Sequence, residues 1–275
     1  MSDSCSWTQV SVTFPDWAQA EPTMTARLAP HLSAAETHGL IGAWFFIRKH
    51  PCWRVRYLPD PEAAAEARTS VEQHLSELTA SRLISGWVSA VYEPEVHAFG
   101  GAKAMAAAHR LFHQDSRCLM AHLQDHSGTR AGYRRELSLM LCSVLMRAAR
   151  QDWYEQGDVW ARVAEHRDLP AGHTPQASGT LHEAVTRLIS VDAESQMHEA
   201  APLACAAPWA DAYAAAGREL AGLHAAGQLH RGIRDILAHH VIFAWNRLGL
   251  PYAAQAVLAA TARTAVFGPD PATGK

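Results

Sequence analysis

The periodicity of this 275-residue chain changes once, near residue 100, and that change limits the fold more than any other feature. Ahead of it, "WTQVSVTF" (7–14), "CWRVRYL" (52–58) and "ISGWVSAVYEP" (84–94) read as strands. The near-continuous apolar run "LIGAWFFIR" (40–48) reads as a strand buried on both faces. Between the strands, "EPTMTARLAPHLSAA" (21–35) fits a helix interrupted by Pro30. "DPEAAAEARTSVEQHLSELTAS" (60–81) fits an amphipathic helix, capped by Asp60, with Pro61 in its first turn and Val71, Leu75 and Leu78 as its apolar stripe. The order β-α-β-β-α-β predicts an α+β fold whose N-terminal part is a ferredoxin-like sheet.

Beyond residue 100 only helical spacing is present, over 100–116, 134–151, 152–166, 179–191, 208–226, 229–248 and 252–266, with a loop expected at 167–178. No internal repeat is visible. The expected organisation is an α+β part over 1–99 packed on a helical part over 100–267, together one compact unit, with a disordered tail at 268–275.

Composition narrows the function classes. A net charge of −3 argues against a large phosphate-binding surface, so no direct nucleic-acid partner is expected. No apolar run is long enough to cross a bilayer, and "MSDSCSWTQV" lacks the basic and apolar regions of a signal peptide, so a cytoplasmic protein is expected. The five cysteines, Cys5, Cys52, Cys118, Cys142 and Cys205, are scattered and contain no CxxC pair, which fits reduced thiols. Among seventeen histidines, His109 and His113 have the spacing to share a helix face. No third ligand sits at a telling distance, and no metal or other cofactor is expected.

Four stretches carry candidate chemistry. In "HPCWRVRYLP" (50–59), Trp53, Val55 and Tyr57 alternate with Arg54 and Arg56, so an extended strand puts both guanidinium groups on one face. In the expected sheet this strand is interior, which makes edge protection a poor explanation. A bidentate seat for a carboxylate or enolate and pairing with acidic neighbours both fit the spacing. In "YEPEVHAFGG" (92–101), a strand runs through Gly100 and Gly101 into a helix. Such a junction can present backbone N–H groups to an anion and carries Glu95 and His97 as acid/base candidates, although taken alone a tight turn with solvated side chains is the simpler explanation.

In "HRLFHQDSR" (109–117), Asp115 and Ser116 read as a helix break and a new cap. In "DWYEQGDVW" (152–160), Asp152 reads as a cap, with Trp153, Tyr154 and Trp160 in the core. In "LAHHVIFAWNRLGLP" (237–251), His239 and Asn246 lie two turns apart on one face, Arg247 is adjacent, and Gly249 and Pro251 end the helix. These three polar residues are either functional or the satisfied groups of a helix junction.

Together, "WFFIRKHPCWRVRY", "YEPEVHAFGGAKAMAAAHRLFHQDS" and "HHVIFAWNRLGL" resemble the stand-alone thiopeptide-type bacteriocin biosynthesis proteins, relatives of the C-terminal glutamate-elimination domain of class I lantibiotic dehydratases. The similarity runs from about residue 40 to about 267. It implies a lyase acting on a ribosomal precursor peptide, leader and core, whose Ser or Thr has been glutamylated by a separate large dehydratase subunit. Loss of glutamate then leaves dehydroalanine or dehydrobutyrine. The resemblance carries the family's R-x-R onto Arg54 and Arg56 and its glutamate onto Glu95. Ala98 stands where the family has an arginine and Ile242 where it has a histidine, so His97 and His239 are the candidates to replace them. Asn246, Arg247, Gly100 and Gly101 are expected along the peptide-binding wall, with the peptide in a cleft between sheet and helices. The same fold also implies two alternatives, a [4+2] cycloaddition that builds the pyridine of a thiopeptide and a non-catalytic leader-peptide-binding subunit. A homodimer is compatible with all three.

Overall fold

The structure is a computed structural model that describes residues 7–125, 133–169, 179–192 and 206–268. Four strands form a single sheet: β1 (Thr8–Thr13), β2 (Ile41–Lys49), β3 (Cys52–Pro59) and β4 (Gly86–Val91). Their order is β2-β3-β1-β4 and all three pairings are antiparallel. The strand with the two arginines therefore lies inside the sheet, between β2 and β1.

Alternation explains the layering. Trp53, Val55 and Tyr57 of β3 are completely buried, level with Val10 and Val12 of β1, and Phe46 of β2 stacks on Trp53 at 4.9 Å. Helices α2 (Ala29–Thr37) and α3 (Ala64–Ala80) pack on the strands and bring Leu32, Val71, Leu75 and Leu78 into this core, as the apolar stripe predicts. Burial of each such side chain is worth about 1.5–3 kcal/mol.

Three local expectations are corrected. Pro30 does not interrupt its helix: α1 (Trp17–Thr23) continues through a π-helical turn (Met24–Leu28) into α2, and Pro30 falls in the first turn of α2, where a missing N–H is tolerated. Asp60 caps a turn instead of a helix: its Oδ1 accepts from the Glu62 N–H at 2.9 Å, and α3 starts only at Ala64. Finally, α4 (Ala102–Asp125) runs unbroken through Asp115 and Ser116, both fully buried.

That last correction has a physical cause at the sheet edge. β2 is an outer strand, and its outward N–H groups need partners. The Trp44 N–H donates to His113 Nδ1 at 3.1 Å and the Phe46 N–H to Ser116 Oγ at 3.4 Å. His113 Nε2 then lies 3.3 Å from Glu36 Oε1, which fits the Nε2–H tautomer. The polar residues inside α4 thus cover a strand edge.

The remaining described helices are α5 (Arg134–Ala148), α6 (Trp153–Glu165), α7 (Gly179–Ser190), α8 (Ala207–Ala225), α9 (Ile233–Leu248) and α10 (Tyr252–Phe267). Asp152 starts α6 through a capping box with Glu155, as expected. Trp160 is buried and stacks on Trp245 of α9 at 6.0 Å, but Tyr154 is 66% exposed and is no core residue. Gly249, left-handed at φ 75°, ends α9. The loop expected at 167–178 lies outside the described residues from 170 onward, as does the tail from 269. Cys52 and Cys118 are free thiols, and burial pushes the Cys118 thiol up to about 11. Among the described residues, no helix is long and apolar enough to cross a membrane.

By Cα proximity the chain forms two compact units. The first comprises Met1–Pro94 with Phe112–Ala131, and the second Glu95–Leu111 with Gly132–Lys275.

Candidate functional site

The candidate residues divide between the units: Arg54 and Arg56 belong to the first, and Glu95, His97, Gly100, Gly101, His239, Asn246 and Arg247 to the second. In the first unit, the side chains of Arg54 and Arg56 leave one face of β3, above Ser11 and Gln9 of β1 and Ile47 and Phe45 of β2. Arg56 is buried. Its Nε donates to Gln9 Oε1 at 2.7 Å, and its guanidinium carbon lies 4.2 Å from the Tyr92 ring centre and 5.2 Å from that of Phe45. Phe45 is in turn flanked by Trp7 at 5.0 Å and Phe112 at 5.4 Å. Arg54 is half-buried, and among the described residues no hydrogen bond or ion pair holds its guanidinium. The face is thus a cationic pair on a stiff strand, one member fixed by an amide and aromatic rings.

In the second unit, residues 95–101 form a tight turn. The Gly100 N–H donates to the His97 carbonyl at 3.1 Å and the Gly101 N–H to the Val96 carbonyl at 2.8 Å. These two amides are therefore used inside the turn and do not face an anion, which corrects the expectation drawn from the strand-Gly-Gly-helix pattern. The glycines are required for other reasons. Their φ angles are +86° and +112°, and a Cβ at Gly100 would collide with Ile236 of α9. The Gly100 carbonyl accepts from the His230 N–H at 3.0 Å, which ties the turn to the segment leading into α9. Glu95 and His97 are exposed.

On α9, His239 is half-buried, with Nδ1 3.2 Å from the Asp235 carbonyl and its ring edge-on to Phe99 and His166. Burial lowers its pKa from the ordinary value of 6.5. The Asp235 contact opposes this, nearby Arg231 and His166 reinforce it, and Glu95 opposes it. His240, on the next position, is enclosed. Burial, then the Arg247 charge and His239, push it down to about 3, so it stays neutral. Arg247 is 0% exposed, so its expected place along a peptide-binding wall is corrected: the guanidinium lies inside the unit. Asn246 Oδ1 accepts from Gln255 Nε2 at 3.2 Å, as a helix-junction contact.

The pattern-based reading missed Arg231. Its Nη1 lies 3.5 Å from the Ala98 carbonyl and its Nε 3.7 Å from Asp235 Oδ2. It belongs to no motif, and only a helical turn count from Asp235 connects it to His239. Among the described residues, no group of three or more His, Cys, Asp or Glu side chains could hold a metal ion, and His113 is occupied at the β2 edge.

Comparison with known proteins places this geometry. No curated protein matches the chain. Among solved structures, it is similar to the tRNA-dependent lantibiotic dehydratase MibB from Microbispora sp. 107891, with a TM-score of 0.72 and 16% identity over 97% of this chain. The chain spans only 28% of MibB. It is also similar to TsrL, with a TM-score of 0.56 and 16% identity, covering 94% of this chain and 93% of that one. At such identities the likeness establishes a shared fold. The profile described as "Lantibiotic biosynthesis dehydratase C-term" matches residues 7–266, nearly the whole length. The chain belongs to the lantibiotic biosynthesis dehydratase C-terminal family.

Proposed function

We propose that this protein releases glutamate from glutamylated Ser or Thr residues of a ribosomal precursor peptide, leaving dehydroalanine or dehydrobutyrine. The glutamyl ester would be made by a separate, larger dehydratase subunit. In this β-elimination a base removes the Cα proton, its electron pair forms the Cα=Cβ bond, the Cβ–O bond breaks, and glutamate departs as a carboxylate. The transition state gathers negative charge on the peptide carbonyl and on the leaving oxygen, so cations fixed in advance accelerate it.

One observation carries this reading: Arg54 and Arg56 stand on one face of an interior strand, with Arg56 held by Gln9, Tyr92 and Phe45. In the first unit Arg54 and Arg56 are the candidates to grip the enolate or the glutamyl carboxylate; in the second, His239 or His97 is the candidate to move a proton and Glu95 to orient an arginine. The sheet is read as ferredoxin-like, which the order β2-β3-β1-β4 supports. Alanine at 98 and isoleucine at 242 favour a second reading, the [4+2] cycloaddition between two dehydroalanines.

Mass spectrometry of a glutamylated precursor, with and without the protein, tests the proposal. Conversion to the dehydrated peptide with release of free glutamate is expected. An ester left intact, together with leader release from a bis-dehydrated peptide, would overturn elimination in favour of cycloaddition.

A further inference from the structure

The arginines around α9 of the second unit are not equally neutralised. Arg162 binds Asp235 at 2.6 Å and Asp158 at 3.2 Å, and Arg234 binds Asp158 at 2.9 Å. Arg231 shares Asp235 only at 3.7 Å and reaches the Ala98 carbonyl at 3.5 Å. Attraction weakens with distance, and both of these contacts are at or beyond the hydrogen-bond limit, so Asp235 chiefly serves Arg162. Arg231 keeps most of its five donors for something else. Its side chain is 28% exposed, so solvent and ligands reach it.

One turn beyond Asp235 stands His239. A carbonyl can only accept, so the 3.2 Å contact with the Asp235 oxygen places the proton on Nδ1 and leaves Nε2 as an acceptor. His166 lies edge-on at 5.6 Å, and Glu95 and Arg231 both act electrostatically on the ring. A forked cation beside a fixed neutral imidazole is the arrangement that binds a carboxylate and exchanges a proton with it.

We propose that Arg231 and His239 form a carboxylate-binding site in the second unit, bordered by Glu95 and His166. Arg231 takes the carboxylate oxygens, and Nε2 of His239 lies on the acceptor side. The carboxylate named here, that of glutamate, follows from the proposed elimination, so the assignment of ligand rests on that reading. The charged groups facing His239 are Glu95 from the turn, Arg231 ahead of α9, and His166 after α6; Asp235 of α9 contributes its carbonyl.

The full-length protein with 15N-labelled histidine, titrated with L-glutamate, tests this, the His239 ring signals being identified with His239→Gln. Glutamate should move those signals and raise the pKa of the ring, since an anion alongside favours the imidazolium form. Arg231→Ala should weaken glutamate binding at least tenfold, and Arg231→Lys should fall between the two. Ala98→Arg combined with Arg231→Ala should recover part of the loss, because position 98 is the backbone that Arg231 already touches. Ring signals that ignore glutamate, or Arg231→Ala binding as tightly as the parent, would remove the site. Binding requires no chemistry. Saturable binding without glutamate release from esterified peptide would therefore overturn the elimination and leave this site in place.

Discussion

Each unit buries one arginine on the candidate list, and the two are surrounded differently. Arg56 in the sheet unit is 8% exposed and Arg247 in the helical unit 0%. Arg56 meets the amide oxygen of Gln9 and the faces of Tyr92 and Phe45. Ring quadrupoles and a neutral amide attract a cation, and neither titrates near neutrality. Arg247 instead acts on His240, an imidazole that burial keeps uncharged. The first environment keeps these three contacts at any moderate pH. The second is stable only while its neighbour stays neutral.

The largest expected effect tests the first setting. Arg56→Ala should slow glutamate release by roughly 100- to 1,000-fold, the range seen when one preorganised charge-stabilising donor is removed. Mass spectrometry of the glutamylated precursor measures it, with the unfolding midpoint recorded on the same sample. Arg56→Lys keeps the charge but loses the planar fork that meets Gln9, so it should recover only part of the rate. An Arg56→Ala protein that is folded and fully active would end the comparison in its functional form.

The second effect is acid sensitivity from the helical unit. The folded pKa of His240 is about 3, against 6.5 for the free side chain. As pH falls, the unfolded chain therefore takes up the proton first. The stabilisation is complete above 6.5 and is lost as pH drops toward the folded value, by up to about 1.4 kcal/mol per pH unit. Denaturant titrations should show a loss of roughly 2 kcal/mol between about pH 6.5 and about pH 5. His239 is shifted in the same direction and adds to the slope. His240→Leu should flatten it, and an unchanged slope in that variant would place the acid sensitivity elsewhere.

How much of this was legible in one dimension depends on how far away each partner lies. The strands, the α3 stripe, the Asp152 cap and the Gly249 stop show in the sequence because neighbours within a few residues determine them. Asp115 and Ser116 misled because a polar pair inside a helix looks like a break, and the Phe46 N–H that explains Ser116 is 70 residues away. Gly100 and Gly101 mark a junction in the sequence, but what requires a glycine at 100, the close approach of Ile236, comes from α9. Arg231 had no signal beyond its helical spacing from Asp235, since its contact at Ala98 is 133 residues distant and involves a carbonyl, which carries no sequence. Arg54 and Arg56 sharing a face was plain from alternation; the fixing of Arg56 by Gln9 and Tyr92 required the sheet register.

The smallest effect separates the Tyr92 ring contact of Arg56 from its Gln9 hydrogen bond. Tyr92→Leu removes the nearer ring, at 4.2 Å, while the Phe45 ring at 5.2 Å and the Gln9 hydrogen bond remain. A partly buried cation–π contact is worth about 0.5–2 kcal/mol, so thermal or denaturant unfolding should register a loss of roughly 1 kcal/mol. Glutamate release should fall only several-fold, because the charge is still present but less well positioned. Tyr92→Phe retains the ring face and should be nearly neutral. Gln9→Leu removes the fixed acceptor instead and leaves the Arg56 Nε–H without that partner, which costs about 1–3 kcal/mol when a buried donor is stranded. If Tyr92→Leu matched the parent in stability while Gln9→Leu did not, the amide and not the Tyr92 ring would position Arg56, and the contrast between the two units would shift from the Tyr92 ring to the Gln9 hydrogen bond.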